Sequence, residues 1–330
     1  MTSSPDPLAP PAALTAAWVP ELRAALAEVI VGQEDLVEGL LLALLTGGHV
    51  LLEGVPGIAK SLAVSSLAEG LEGSFSRLQF TPDLLPSDLI GSEIYNAKES
   101  TFTTRKGPVF ANFVLADEIN RAPAKVQSAL LEAMQERQVS IGGETFALPQ
   151  PFLVLATQNP IEQEGTYPMP EAQLDRFALK LLVDYPSPTE ELEILERMAR
   201  TATKAHVREV ASMQNVLQAR AEIDAITIDP RLKQYIVDLV EASRRPAAAG
   251  LPELDGLLLI GASPRATITL ALTARAHAWL QGRNYVMPTD IKAVAHRVLR
   301  HRVVPNFEAE AEGYTADALV DRLLEGVRVP

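Results

Sequence analysis

Gly54-Val55-Pro56-Gly57-Ile58-Ala59-Lys60-Ser61 follows a short apolar run, His49-Val50-Leu51-Leu52, and precedes a helical one, Leu62 to Ala68. Strand, glycine-rich turn, helix N-terminus is the order that a phosphate-binding loop requires. The glycines let the backbone curl tightly and turn its N–H groups inward. The helix N-terminus adds its dipole and its unpaired N–H donors, which favour an anion. Lys60 is a compact cation for β- and γ-phosphates, and the Ser61 hydroxyl suits Mg²⁺. Ala59 stands where the strict pattern has glycine, so by itself the octapeptide also reads as an ordinary Gly/Pro turn.

The rest of the chain decides between those readings. Val114-Leu115-Ala116-Asp117-Glu118 is an apolar strand ending in two adjacent carboxylates, 57 residues after Lys60. The carboxyl end of a strand in an open parallel sheet faces the ligand crevice. Asp117 there suits the metal that bridges phosphates, and Glu118 suits polarisation of an attacking water. Leu155-Ala156-Thr157-Gln158-Asn159 is a second apolar strand ending in amides. Asn159 there either meets a γ-phosphate or water, or opens the turn before Pro160. Arg176 in Leu174-Asp175-Arg176-Phe177 can stabilise charge on a γ-phosphate, in cis or across a subunit boundary, or pair with Asp175 or Glu171. Arg265 in Gly261-Ala262-Ser263-Pro264-Arg265 opens a helix, an unfavourable place for a cation, and can reach phosphates from a second domain.

Five candidate strands (Val50–Leu52, Arg77–Phe80, Phe113–Ala116, Phe152–Thr157, Leu179–Val183) alternate with helical runs at Glu21–Val29, Leu36–Leu45, Leu62–Ala68 and Ala124–Gln135. All but Arg77–Phe80 are near-continuous apolar runs, and such strands between helices predict an α/β domain with a parallel sheet. Arg105–Phe110 reads as an inserted turn. Gln138–Leu148 reads as a hairpin, with Gly142-Gly143 between Val139–Ile141 and Thr145–Ala147. Beyond Pro186-Ser187-Pro188-Thr189 the pattern is helical only: Glu190–Ala202, Val207–Ala221, Arg231–Ser243, Pro264–Leu280, Ile291–Leu299 and Ala316–Leu324. Ser263, and Thr289 or Asp290, suit N-caps. The expected layout is a tail at 1–20, a nucleotide-binding core at 21–186 and a helical domain at 187–330.

The bulk properties narrow the partners. The 330 residues carry 29 basic and 42 acidic side chains, a net charge of −13, and no cysteine. That charge argues against general nucleic-acid binding, and thiolate or disulfide chemistry is excluded. Met1–Pro20 lacks the basic start and apolar centre of a secretory signal. Leu40–Leu45 is too short to cross a bilayer. The expected location is the cytoplasm, with no transmembrane segment. The scattered histidines, including His296 and His301, read as a solvated basic face over Arg297–Arg302 rather than a metal site.

The strings Gly54–Ser61, Ala116–Pro123 (ADEINRAP), Ala156–Phe177 (ATQNPIEQEGTYPMPEAQLDRF) and Gly261–Ala266 (GASPRA) resemble, in this order, the MoxR family of AAA+ ATPases, over the whole chain beyond the tail. Alanine before the lysine is itself similar to that family. The resemblance implies a P-loop NTPase core, an αβα sandwich on a five-stranded parallel sheet, followed by an all-α lid. It implies ATP and Mg²⁺ as cofactors. Gly54, Pro56, Gly57, Ile58, Ala59, Lys60, Ser61 and Leu62 would form Walker A, and Asp117 and Glu118 Walker B. Asn159 would be sensor 1, Arg176 an arginine finger and Arg265 sensor 2. Val31-Gly32-Gln33 matches the adenine-contacting stretch. Gly91–Pro108 and the hairpin resemble the helix-2 insert and the pre-sensor-1 hairpin. Further implied are a homo-oligomeric ring, commonly hexameric, a protein client, and a partner with a von Willebrand factor A domain. Chaperone-like activation of an enzyme, with metal or cofactor insertion as one version, is the expected role. A nucleic-acid motor and a nucleotide-switched scaffold are the alternatives.

Overall fold

A computed structural model describes residues 17–54, 60–158, 165–199 and 206–330. In chain order the first elements are α1 (Trp18–Ala27), α2 (Glu34–Thr46), β1 (Val50–Gly54), α3 (Lys60–Gly70), β2 (Phe75–Gln79), α4 (Pro86–Ile90), β3 (Gly91–Asn96) and β4 (Thr101–Lys106). There follow β5 (Phe113–Asp117), α5 (Ala124–Glu136), β6 (Gln138–Ile141), β7 (Glu144–Ala147), β8 (Leu153–Gln158), α6 (Glu171–Leu174) and β9 (Leu179–Val183). The remainder is α7 (Pro188–Met198), α8 (Met213–Asp224), α9 (Pro230–Arg244), β10 (Leu258–Ile260), α10 (Pro264–Leu280), α11 (Pro288–Leu299), β11 (Val304–Pro305), α12 (Phe307–Ala311) and α13 (Ala316–Gly326).

Five strands form one parallel sheet in the order β2-β5-β8-β1-β9. The central strands are buried on both faces, as their unbroken apolar sequences require. Ala116 lies beside Ala156, and Leu52 beside Thr157. That register brings the ends of β1, β5 and β8 to one edge. β2 is an edge strand, and its exposed Arg77 and Gln79 alternate with half-buried Leu78.

Leu40–Leu45 of α2 is apolar all round because it is covered all round. None of its side chains exceeds 2% exposure, and α2 packs on β9 on one side and on α8 and α10 on the other. A full leucine burial is worth roughly 1.5–3 kcal/mol. Gly39 permits the close approach: a Cβ there would lie 2.5 Å from a Leu181 methyl. Trp279 of α10 is fully buried, 6.4 Å from the Trp18 ring, and donates to Glu222 at 2.8 Å. One hydrophobic core therefore runs from the sheet into the C-terminal helices.

Five expectations need correction. α1 begins at Trp18, inside the stretch read as a tail, because Trp18 and Val19 bury their side chains. The helix expected over Val207–Ala221 starts only at Met213. Val207, Val210 and Ala211 have helix-like spacing, but their backbone is irregular and tied to the end of α3, where Val210 N donates to Gly70 O at 2.9 Å. Neither Thr289 nor Asp290 caps α11. Met287 holds that position, and Asp290, three residues on, accepts its N–H at 2.6 Å. The C-terminal part also contains a small antiparallel ribbon, β10 with β11. Finally, Arg105 and Lys106 extend β4, and the turn begins at Gly107. The β6–β7 hairpin forms around Gly142-Gly143 as expected.

Asp290 is fully buried and accepts from Arg283 Nη1 at 2.8 Å; it also pairs with His277 Nδ1 at 2.7 Å. Burial alone would raise its pKa, but hydrogen bonds from His277, Arg283 and the Met287 amide outweigh it and bring the value to about 2. A depressed carboxylate stabilises the fold fully above its unfolded pKa. That contribution, about 2–3 kcal/mol, is lost as pH falls from about 4 towards 2. Asp290→Ala is expected to lower stability near neutral pH by about 2–3 kcal/mol, because it removes the buried acceptor of two half-buried partners, His277 and Arg283. Urea unfolding against pH is the check: the variant should lose the part of the parent's acid-side slope that lies between about pH 4 and 2, and an unchanged midpoint near neutral pH would refute the role.

Candidate functional site

A cleft of about 930 Å³ opens at the carboxyl edge of the sheet. Val31, Gln33, Lys60, Ser61, Leu62, Asp117 and Glu118, all chosen from sequence, line it. Gly54 ends β1 beside it. Val55 and the candidate residues Pro56, Gly57, Ile58 and Ala59 lie outside the described residues, as does Asn159.

Gly32 and Gln33 are both left-handed, with φ of 64° and 58°. At Gly32 the positive φ is what favours glycine, since a Cβ there would meet only the movable end of the Glu190 side chain. Gln33 Nε2 donates to Asp184 O at 3.0 Å, which ties this stretch to the end of β9. Beside it, Tyr185, Pro186, Ile194 and Met198 give the cleft an apolar lip suited to a planar base.

The polar end is built around Thr157. Its hydroxyl donates to Asp117 Oδ1 at 2.7 Å and accepts the Glu118 N–H at 2.8 Å. One side chain on β8 thus orients both acids at the end of β5. Glu118 adopts a left-handed conformation, φ 56° and ψ 51°, rare for a non-glycine residue and typical of functional sites. Asp117 Oδ2 receives Arg77 at 2.5 Å. Glu118 Oε2 receives Gln79 and Arg121, each at 2.9 Å. Lys60 Nζ donates to Gly54 O at 2.7 Å. Burial lowers the pKa of its ammonium, while Asp117 and Glu118 oppose that shift. The donor set fits a magnesium nucleotide: a hydroxyl and a carboxylate for the metal, an ammonium for phosphates, and a second carboxylate for water.

Sequence reasoning missed Thr157, Arg77 and Gln79 in this role, and the apolar lip of Tyr185, Ile194 and Met198. Arg77 and Gln79 were legible from their period-two spacing on an edge strand, which aims both side chains one way.

Arg176 and Arg265 are not in this cleft. Both line a separate hollow of about 240 Å³, together with His49, Asp175 and Arg302. Among the described residues the two hollows share no lining residue. Ser263 does cap α10, accepting the Arg265 N–H at 3.1 Å.

A family model described as "ATPase family associated with various cellular activities (AAA)" matches residues 49–179, and an AAA lid domain model matches 257–323. "Chaperone MoxR1" of Mycobacterium tuberculosis is 50% identical over 100% of this chain and 88% of its own length. "Protein MoxR" of Paracoccus denitrificans is 36% identical over 94% of this chain and 96% of its own. A crystal structure of a proposed ATPase from Cytophaga hutchinsonii superposes with a TM-score of 0.90 at 50% identity, covering 95% of each chain.

Proposed function

This chain belongs to the MoxR family of AAA+ ATPases, and from that premise we propose that it hydrolyses ATP at a cleft completed by a second copy of itself. The observation that carries the proposal is the separation of the machinery. Lys60, Asp117 and Glu118 converge in one cleft, while Arg176 and Arg265 share another hollow. A chain with its phosphate grip in one hollow and its arginines in another suits head-to-tail association, which closes into a ring when the rotation closes.

Bound Mg·ATP would supply the γ-phosphoryl group together with part of the charge neutralisation. Lys60 would hold the β- and γ-phosphates, and Ser61 and Asp117 the metal. Glu118 would take the proton of the attacking water. Asn159, Arg176 and Arg265 would contact the γ-phosphate, the two arginines reaching in from the neighbour. Loss of those contacts after cleavage would let the helical domain and the ring reposition.

Family membership extends the proposal to a hexameric cytoplasmic ring that remodels or activates a protein client, with a von Willebrand factor A partner. Metal or cofactor insertion is one form of that activation. The test is phosphate release by the purified protein against its own concentration, with assembly followed by sedimentation. Release should rise more steeply than linearly as copies associate, and chelation of Mg²⁺ should abolish it. No release from fully assembled protein would overturn the proposal.

A further inference from the structure

Arg302 is charged, yet its side chain is only 2% exposed. The run Arg297–Arg302, expected as a solvated face, is in fact the seam where α11 meets the rest. Arg297 reaches Glu38 of α2 at 3.3 Å, Arg300 reaches Asp317 of α13 at 3.0 Å, and Arg302 points inward. A guanidinium has five N–H donors in a rigid fork, and every one is used here. Nε donates to Asp175 Oδ1 at 2.7 Å. Nη1 donates to Ala178 O at 3.0 Å and to Val298 O. Nη2 donates to Phe177 O at 2.6 Å and to Asp175 O at 3.1 Å. Four of the five bonds thus grip the chain on both sides of Arg176.

The grip continues to Arg265. The other Asp175 oxygen, Oδ2, accepts the Ser263 hydroxyl at 2.8 Å, and Ser263 Oγ accepts the Arg265 N–H at 3.1 Å. Three arginines and one aspartate line this hollow. Asp175 is fully engaged by Arg302 and Ser263. The guanidinium groups of Arg176 and Arg265 have no hydrogen-bond or salt-bridge partner among the described residues. Burying a charge is costly unless it is paired, so a purely packing role at position 302 would be served better by an apolar side chain.

We infer that Arg302, acting through Asp175 and Ser263, is a positioning residue that fixes Arg176 and Arg265 relative to each other as one anion-gripping unit. The inference rests on the composite-site reading above and deepens it. The two arginines come from different elements, α10 and the end of α6, and a shared aspartate makes them move together.

Arg302→Lys keeps the charge but has at most three donors, and Asp175→Asn keeps the shape but loses the charge. Both should bind a fluorescent ATP analogue with Mg²⁺ at their own clefts within about twofold of the parent, because no bracket residue lines that cleft. Both should turn over about tenfold or more slowly, as misplaced catalytic groups do. Mixing either with Lys60→Ala chains, whose bracket is intact, should restore turnover. Ser263→Ala should slow turnover like Arg265→Ala and add nothing to it in the double variant, as coupled residues do.

Parental turnover in Arg302→Lys and Asp175→Asn overturns the inference. So does a loss of nucleotide affinity equal to the loss of turnover, which marks a merely structural part, or full additivity of Ser263→Ala with Arg265→Ala. Arg176→Ala separates the two claims. If it turns over normally, the composite site itself fails. If it is slow and rescued while the bracket variants are normal, only the bracket fails.

Discussion

Glu118→Gln is expected to hold Mg·ATP about as tightly as the parent and to release phosphate about 100-fold or more slowly, the usual worth of a positioned general base. The substitution keeps the length of the side chain and an oxygen that still accepts from Arg121, which lies 2.9 Å from Glu118 Oε2. The backbone N–H still donates to Thr157 at 2.8 Å, so the left-handed turn survives. Only the proton acceptor is lost. Nucleotide retention by filter binding and phosphate release by a coupled assay give the two readings. Unchanged release would remove Glu118 from the chemistry and favour a nucleotide-switched scaffold.

Lys60→Ala is expected to weaken nucleotide binding at least about 100-fold, close to 2.7 kcal/mol. Lys60 is set among acids, and its ammonium opposes the field of Asp117 and Glu118. Without it those carboxylates face incoming phosphates uncompensated. A unit charge near a phosphate is worth about 4 kcal/mol at 4 Å in a partly screened site, so the stated loss is a conservative share. Arg77 does not replace it, because Asp117 already engages that guanidinium at 2.5 Å. Titration with a fluorescent nucleotide measures the effect, and undiminished binding would refute the phosphate role of Lys60.

Four of the five strands were legible because they read as near-continuous apolar runs bounded by turns, as strands covered on both faces do, whereas the edge strand β2 is exposed along much of its length. The β6–β7 hairpin was legible because Gly142-Gly143 supplies two positive φ values, 60° and 87°. Ser263 was legible as a cap because Pro264 suits a first helical position. The lapses share a cause, which is partnership across long sequence separations. Val207 and Ala211 mimic helical spacing but are anchored on α3. Asp290 looks like a helix start, yet it serves Arg283 and His277. Arg302 looks like part of a wet basic face until Asp175, 127 residues earlier, closes on it at 2.7 Å.

The candidate site was half legible for the same reason. Lys60, Ser61, Asp117 and Glu118 sit in contiguous strings with a local signature. Thr157 and Arg77 act only through the strand order, which sets β5 between β2 and β8. That Arg176 and Arg265 share a hollow apart from the cleft follows from how the helical domain is seated, and no local pattern carries it.

If one chain's cleft is completed by another chain's arginines, mixing two inactive variants restores activity. Lys60→Ala has a failed cleft and sound arginines; Arg176→Ala has the reverse. In an equimolar random ring, roughly one junction in four joins a sound cleft to a sound arginine. ATP turnover near a quarter of the parental rate is expected from two preparations that are each nearly silent. Silence at every mixing ratio, with mixed assembly verified, would rule out a shared site.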